Sequence, residues 1–250
     1  MHYSSMLRGI AMFSFHDLGS LLPPLLQGAW VTVTVSLVSY LIALVSGLAI
    51  GLARISKVWP VRMAAAAYVQ FIRGTPLLLQ LFFIYYVLPY AGIVFSPFEA
   101  GVIGLSINYS AYMAEVFRSG IAAVPRGQSE AGMSLALSHF QMMLFVIIPQ
   151  ALRIVVLPIG NFFVSIFKDS ALVSVITMKD LMFSGEMLAS STFRHFEIFS
   201  ILAVIYFLLS YPAAKLVEWI EKRLNGERRF VARKPARDPA LLSQEAGNSF

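Results

Sequence analysis

An all-α, polytopic membrane protein is the fold class this sequence predicts, and three observations carry the prediction. Of 250 residues, 58% are hydrophobic and only 13% charged, about half the ~25% charge of a typical soluble domain. The mean hydropathy is +0.74. Residues 18–53 contain no Asp, Glu, Lys or Arg. A soluble fold of this size has too little interior to cover so much apolar surface. Lipid is itself an apolar solvent, and helices pair their own backbone groups within it. Disordered, collagenous and disulfide-stapled classes are excluded. The absence of Cys also excludes thiolate metal sites and cysteine nucleophiles.

A bilayer-crossing helix needs about 20 mostly apolar residues, and five such segments are legible. The first is 29–53. The second leads into the charge-free stretch 74–98 and ends near Pro89. The third, 100–118, is interrupted near its end by Glu115. The fourth, 140–167, contains Pro149, Arg153 and Pro158, and the fifth runs over 198–217. Residues 1–17 lack the basic region, apolar core and cleavage site of a signal peptide.

Orientation follows from Lys and Arg in the short connections. Arg54, Lys57 and Arg62 follow the first span, and Arg118 and Arg126 follow the third. Eight of the 19 basic residues lie within 215–237, whereas 90–97 has none. The pattern puts the N terminus outside and the C terminus in the cytoplasm. A juxtamembrane basic tail also accounts for the net charge of +6 without any nucleic-acid partner.

Residues 125–138 read as a cytoplasmic helix, with Glu130 in its first turn and Ala131, Leu135 and Ser138 on one face. It is either a plain connector or a docking element. Residues 171–192 are moderately apolar but carry Lys179 and Asp180, which suits a surface-lying or re-entrant helix on the outer side. Residues 1–23 are taken as an extracytoplasmic segment and 24–225 as the membrane domain, with its cytoplasmic loop at about 125–139. The polar, Arg- and Pro-rich 226–250 reads as a disordered tail.

Polar groups inside a membrane cost ~2.5–3.5 kcal/mol for Arg, Lys or Asp at a helix centre, so they are the first functional candidates. Arg73 precedes Gly74, Thr75 and Pro76, a sequence that breaks a helix and frees carbonyls that need partners. Arg73 either snorkels to the inner interface or meets a substrate. Asn108 sits mid-span as interhelical glue or as part of a route. Glu115 and Arg118 are spaced for a local ion pair. Arg153, Asn161 and Lys168 give the fourth span a broken polar line. The four histidines lack metal-ligand spacing and no Walker-type phosphate loop occurs. These features speak against an enzyme, and the lack of deep acid pairs speaks against a proton-coupled carrier.

Glu130-Ala131-Gly132 through Ala136, followed by Val146, Ile148 and Pro149, resembles the EAA loop of importer-type ABC permeases. Gly132 stands for the third motif residue and Ala136 for the motif glycine. Phe-Ile-Arg-Gly-Thr-Pro-Leu-Leu-Leu-Gln at 71–80 is similar to the second-span signature of the polar amino-acid subfamily. The stretch 112–120 with Pro125, Gly127 and Gln128 follows in order, as do Pro-Gln-Ala-Leu-Arg at 149–153, Leu157-Pro158, Gly160-Asn161 and Lys168-Asp169-Ser170.

The resemblance covers about 24–225. It implies a type I importer permease of the bacterial inner membrane that carries polar amino acids or opine-like compounds. Its expected partners are a second permease subunit, identical or related, two ATP-binding subunits, an extracytoplasmic binding protein and membrane lipid. No cofactor is expected in this chain, with ATP and Mg on the partner ATPase. Coupling is assigned to Gly127, Gln128, Glu130, Ala131, Gly132 and Ala136. Arg73, Thr75, Gln80, Asn108, Asn161, Lys168 and Asp169 become pathway or gate candidates. An ABC permease for another small solute is the nearer alternative, and an ion-coupled carrier the more distant.

Overall fold

A computed structural model describes residues 18–225, and every regular element among them is helical. The expected segment before residue 18 and the tail 226–250 lie outside the described residues. Helix α1 spans Leu18–Arg54, starting well before the expected 29 and taking in Pro23 and Pro24. α2 (Trp59–Arg73) and α3 (Leu77–Phe82) are separated by Gly74–Pro76. α3 runs on as a π turn, Phe83–Val87, and a 3-10 turn, Leu88–Ala91, closed by Gly92 at φ 81°. Pro76 has no N–H and its ring disfavours helical backbone at Thr75. The chain therefore bends by 102° between Trp59–Arg73 and Leu77–Ala91.

Helix α4 (Pro97–Ala122) starts at a capping box in which the Ser96 side chain accepts from the Glu99 N–H and the Glu99 carboxylate accepts from the Ser96 N–H. It is the axis of the bundle, and much of its length is buried. Its principal neighbour is α1, where Gly47 and Gly51 present a small-x-x-x-small surface. A Cβ on Gly47 would stand 2.8 Å from the Met113 Cβ, and one on Gly51 3.0 Å from the Ala114 carbonyl. Ser39 and Ser106 exchange hydrogen bonds with the backbone across the same seam, at 3.4 and 3.3 Å. Farther along, Glu115 holds both Arg118, as its spacing predicts, and Arg54 of α1. Gly47→Leu is expected to force α1 and α4 apart and destabilise the protein by roughly 1–3 kcal/mol. A lower midpoint of thermal unfolding in detergent would register it, and an unchanged midpoint would refute the tight seam.

α5 (Arg126–Ser134) is shorter than the expected cytoplasmic helix. It begins at Arg126, so Glu130 lies in the second turn, not the first. Leu135 caps it and Ser138 caps the next helix, α6 (His139–Met142), so Ala131, Leu135 and Ser138 share no single helix face. The cause is a Schellman termination: the Leu137 N–H donates to the Gly132 carbonyl at 3.1 Å and the Ala136 N–H to Met133 at 2.9 Å. Ala136 is therefore left-handed, at φ 56°. Helical geometry resumes through a π turn, Met143–Ile147, into α7 (Ile148–Asp169) and a 3-10 turn, Ser170–Ile176.

The segment 171–192, expected on the outer side, divides between that 3-10 turn and α8 (Leu181–Thr192). Asp180 caps α8, accepting from the Phe183 and Met182 N–H groups at 3.0 and 3.3 Å. α9 (His195–Asn225) closes the bundle. Three helical stretches, Leu21–Arg54, His139–Ile176 and His195–Leu224, are long and apolar enough to cross a membrane, and the bent pair makes a fourth if counted as one span. α4 is not among them. Its 26 residues suffice in length, but Ser106, Asn108, Tyr109, Ser110 and Glu115 reduce its apolarity, because its neighbours are protein and not lipid.

Candidate functional site

The break between α2 and α3 needs partners for the carbonyls it frees, and Gln80 supplies them. Its Nε2 donates toward the Ile72 carbonyl at 2.9 Å, the Thr75 carbonyl at 3.1 Å and the Thr75 Oγ1 at 2.8 Å. Its Oε1 accepts from the Asn108 Nδ2 at 3.2 Å, which ties the break to the middle of α4. The Tyr68 hydroxyl reinforces the junction, 2.7 Å from the Ser110 hydroxyl and 3.1 Å from the Ile107 carbonyl. A short polar network thus makes the unwound backbone tolerable within the bundle.

A cavity of about 530 Å³ opens beside this junction. One wall is the broken segment from Arg73 to Leu77, a second is Asn108, Tyr109 and Tyr112 of α4, and the third is Phe162, Ser165 and Asp169 of α7. The Arg73 guanidinium lies over the Tyr112 ring, 5.3 Å from its centroid. The Tyr109 hydroxyl donates to the Asp169 Oδ2 at 2.6 Å. Phe162 meets both tyrosines, at 5.9 and 6.1 Å between centroids. Because Tyr109 and Tyr112 are one helical turn apart, the cation and the carboxylate are offset along α4, and no salt bridge joins them. The result is an aromatic-walled chamber with a positive group at one station and a negative group at the next.

Of the seven pathway residues expected from sequence, the structure brings Arg73, Thr75, Asn108 and Asp169 into this lining. Gln80 sits directly behind it. Asn161 and Lys168 are exposed and take no part in the lining, and Arg153 of the polar line is likewise elsewhere. Sequence reasoning missed Tyr109, Tyr112, Phe162 and Ser165. Their signal was present as the spacings 109/112 and 162/165/169, which place each set on one helix face.

At the other end, Gly127, Gln128, Glu130, Ala131 and Ala136 are exposed along α5 and its cap, whereas Gly132 is buried. A Cβ there would stand 3.2 Å from the Met142 side chain, so Gly132 seats α5 on α6. The Gln128 Oε1 accepts from Gln150 at 3.1 Å, tying α5 to α7. Met133, Leu135 and Phe140 are 61, 75 and 73% exposed, apolar side chains left uncovered by the described residues. Ala136 occupies a backbone well that costs an L-residue roughly 1 kcal/mol. Ala136→Gly should therefore stabilise the turn by about that amount and slow amide exchange over 132–137. Unchanged or faster exchange would contradict the left-handed cap.

Comparison with known proteins gives a consistent result. The family described as "Binding-protein-dependent transport system inner membrane component" matches residues 40–226. The probable glutamine ABC transporter permease protein GlnM of Bacillus subtilis is 38% identical over 200 residues, covering 80% of this chain and 93% of that protein. The L-cystine transport system permease protein TcyB of the same organism is 35% identical over 212 residues, with 84 and 89% covered. The crystal structure of an amino acid ABC transporter with histidines superposes with a TM-score of 0.80 at 39% identity, covering 85% of this chain and 99% of that one.

Proposed function

The chain belongs to the family of binding-protein-dependent transport system inner membrane components, and from that premise we propose that it carries polar amino acids or opine-like compounds through the cavity between the α2–α3 break, α4 and α7. It is a membrane-embedded permease subunit of an ABC importer, not an enzyme. ATP is consumed by a partner ATPase, and a further transmembrane subunit completes the route.

The observation that carries the substrate class is the pairing of Arg73 and Asp169 in one chamber without a bond between them. An α-amino acid presents a carboxylate and an ammonium a few ångströms apart. Arg73 suits the first through its planar fork of donors, and Asp169 the second. Asn108 and Ser165 leave polar contacts for a side chain. The glutamine and cystine named for the relatives fit this class without selecting within it.

Five spans are assigned, with α4 the one enclosed by the others, the N terminus outside and the α5 end in the cytoplasm. Two ATPase subunits dock on that side, one per permease chain. The exposed Met133, Leu135 and Phe140 with Glu130 form the contact, and Gly132 and Ala136 set its shape. ATP with Mg acts there, and a soluble binding protein delivers substrate from outside.

The test is uptake of a labelled amino-acid panel into proteoliposomes holding this chain with its co-purified partners, with and without internal ATP. Uptake that needs ATP and the binding protein supports the reading. Uptake that ignores ATP and follows an ion gradient would replace it with a carrier.

A further inference from the structure

The face of α7 turned away from the cavity borders a second hollow. It has a volume of about 520 Å³ and is lined almost wholly by apolar side chains of α1, α7 and α9, with Phe117 of α4 at its floor. On α7 the lining runs from Leu152 to Phe163, roughly 16 Å at the helical rise per residue. That is close to the ~15 Å depth of one leaflet's hydrocarbon.

Its end toward α5 is formed by Leu152 and Leu224, and each has an arginine beside it in the chain. A Cβ on Gly160 would stand 2.3 Å from the Val217 Cγ1, so these residues face each other across the antiparallel pair α7 and α9. Seven residues farther toward the α5 end on each helix stand Arg153 and Leu224, which puts Arg153 and Arg223 at the same depth. Arg153 follows Leu152 of the lining and heads the stripe that continues through Val156 and Gly160. It is exposed and has no carboxylate partner or hydrogen bond among the described residues. Arg223 is exposed and stacks over Trp219, 4.9 Å from the ring centroid. Two guanidinium groups that form no ion pair among the described residues thus adjoin the α5 end of an apolar slot about one leaflet deep.

We propose that this slot takes one acyl chain of an anionic phospholipid from the leaflet at the α5 end, with the phosphate held between Arg153 and Arg223. This assignment of the leaflet rests on the orientation proposed above. An acyl chain gains little by leaving other lipid for the slot, since lipid tails are as apolar as the side chains that line it. Selection therefore falls on the head group, where each basic residue is worth roughly a five-fold preference for negative charge. A second copy of this chain is the competing occupant, and the subunit number of the complex distinguishes it.

The test uses the intact permease–ATPase complex, stripped of lipid and incubated with an equimolar mixture of phosphatidylglycerol and phosphatidylcholine. The phospholipid retained is then counted by mass spectrometry. Wild type should retain phosphatidylglycerol on the order of ten-fold over phosphatidylcholine. The double variant Arg153→Gln with Arg223→Gln should bring that ratio to about one. Val156→Trp, which fills the slot but keeps both arginines, should reduce the phosphatidylglycerol retained by about one molecule per permease chain. Equal retention of the two lipids by wild type overturns the proposal. So does a preference that survives the double variant, because the lipid is then held by other basic residues. A change in subunit number with Val156→Trp, read by light scattering, also overturns it and gives the slot to another protein chain.

Discussion

Asp169→Asn is expected to lower ATP-driven amino-acid uptake by roughly 30-fold or more, with assembly of the complex unaffected. Asparagine keeps the shape of the side chain and can still accept from the Tyr109 hydroxyl, now 2.6 Å from the carboxylate. What it loses is the negative charge that would meet a substrate ammonium. Removing one partner of a desolvated charge pair costs ~2–5 kcal/mol, which sets the expected factor. Arg73→Gln should act on the other end of the same ligand. It should impair substrates that bear an α-carboxylate and discriminate less against analogues in which that group is an amide. Tyr109→Phe should have a smaller effect, because it frees the carboxylate without discharging it. Initial uptake rates at saturating binding protein, with the substrate-stimulated ATPase rate alongside, separate these cases. Wild-type uptake by both Asp169→Asn and Arg73→Gln would remove the cavity from the substrate route.

The helical fold was legible because it follows from terms that are local in the chain. Charge-free stretches of about 20 residues and the Gly74–Pro76 break are visible in order along the sequence, and both depend on the cost of unpaired backbone in lipid. The third expected span is instructive in another way. Ser106, Asn108, Ser110 and Glu115 make α4 look like a poor membrane helix, and the structure gives the reason in the protein neighbours that bury it. What the sequence could not show is which polar residues share a chamber. Asn161 and Lys168 lie on the same helix as Asp169, yet only Asp169 lines the cavity. That selection depends on the rotation of α7 about its axis, which is decided by contacts between residues far apart in the chain, such as Tyr109 with Phe162. Gln80 illustrates the same point. Its side chain reads as a pathway candidate from sequence, but its hydrogen bonds run to the broken backbone and to Asn108.

At the α5 end, Glu130→Arg is expected to abolish uptake, by at least about ten-fold, while insertion and the cavity remain intact. Glu130 is exposed on α5 and makes no ion pair among the described residues, so its reversal breaks none of the contacts seen there. Its effect must arise in a contact with another subunit, where juxtaposed like charges cost several kcal/mol. Leu135→Asp should act in the same direction through lost apolar burial, since Leu135 is 75% exposed here and a Leu side chain is worth ~1.5–3 kcal/mol when covered. Co-purification of the ATPase subunit reports docking, and the ATPase rate with loaded binding protein reports coupling. Retained docking with lost stimulation would assign Glu130 to transmission of the nucleotide-driven movement, and loss of both would assign it to attachment. Normal uptake by Glu130→Arg and Leu135→Asp alike would leave α5 as a connector. The apolar surface at Met133, Leu135 and Phe140 would then need some other cover.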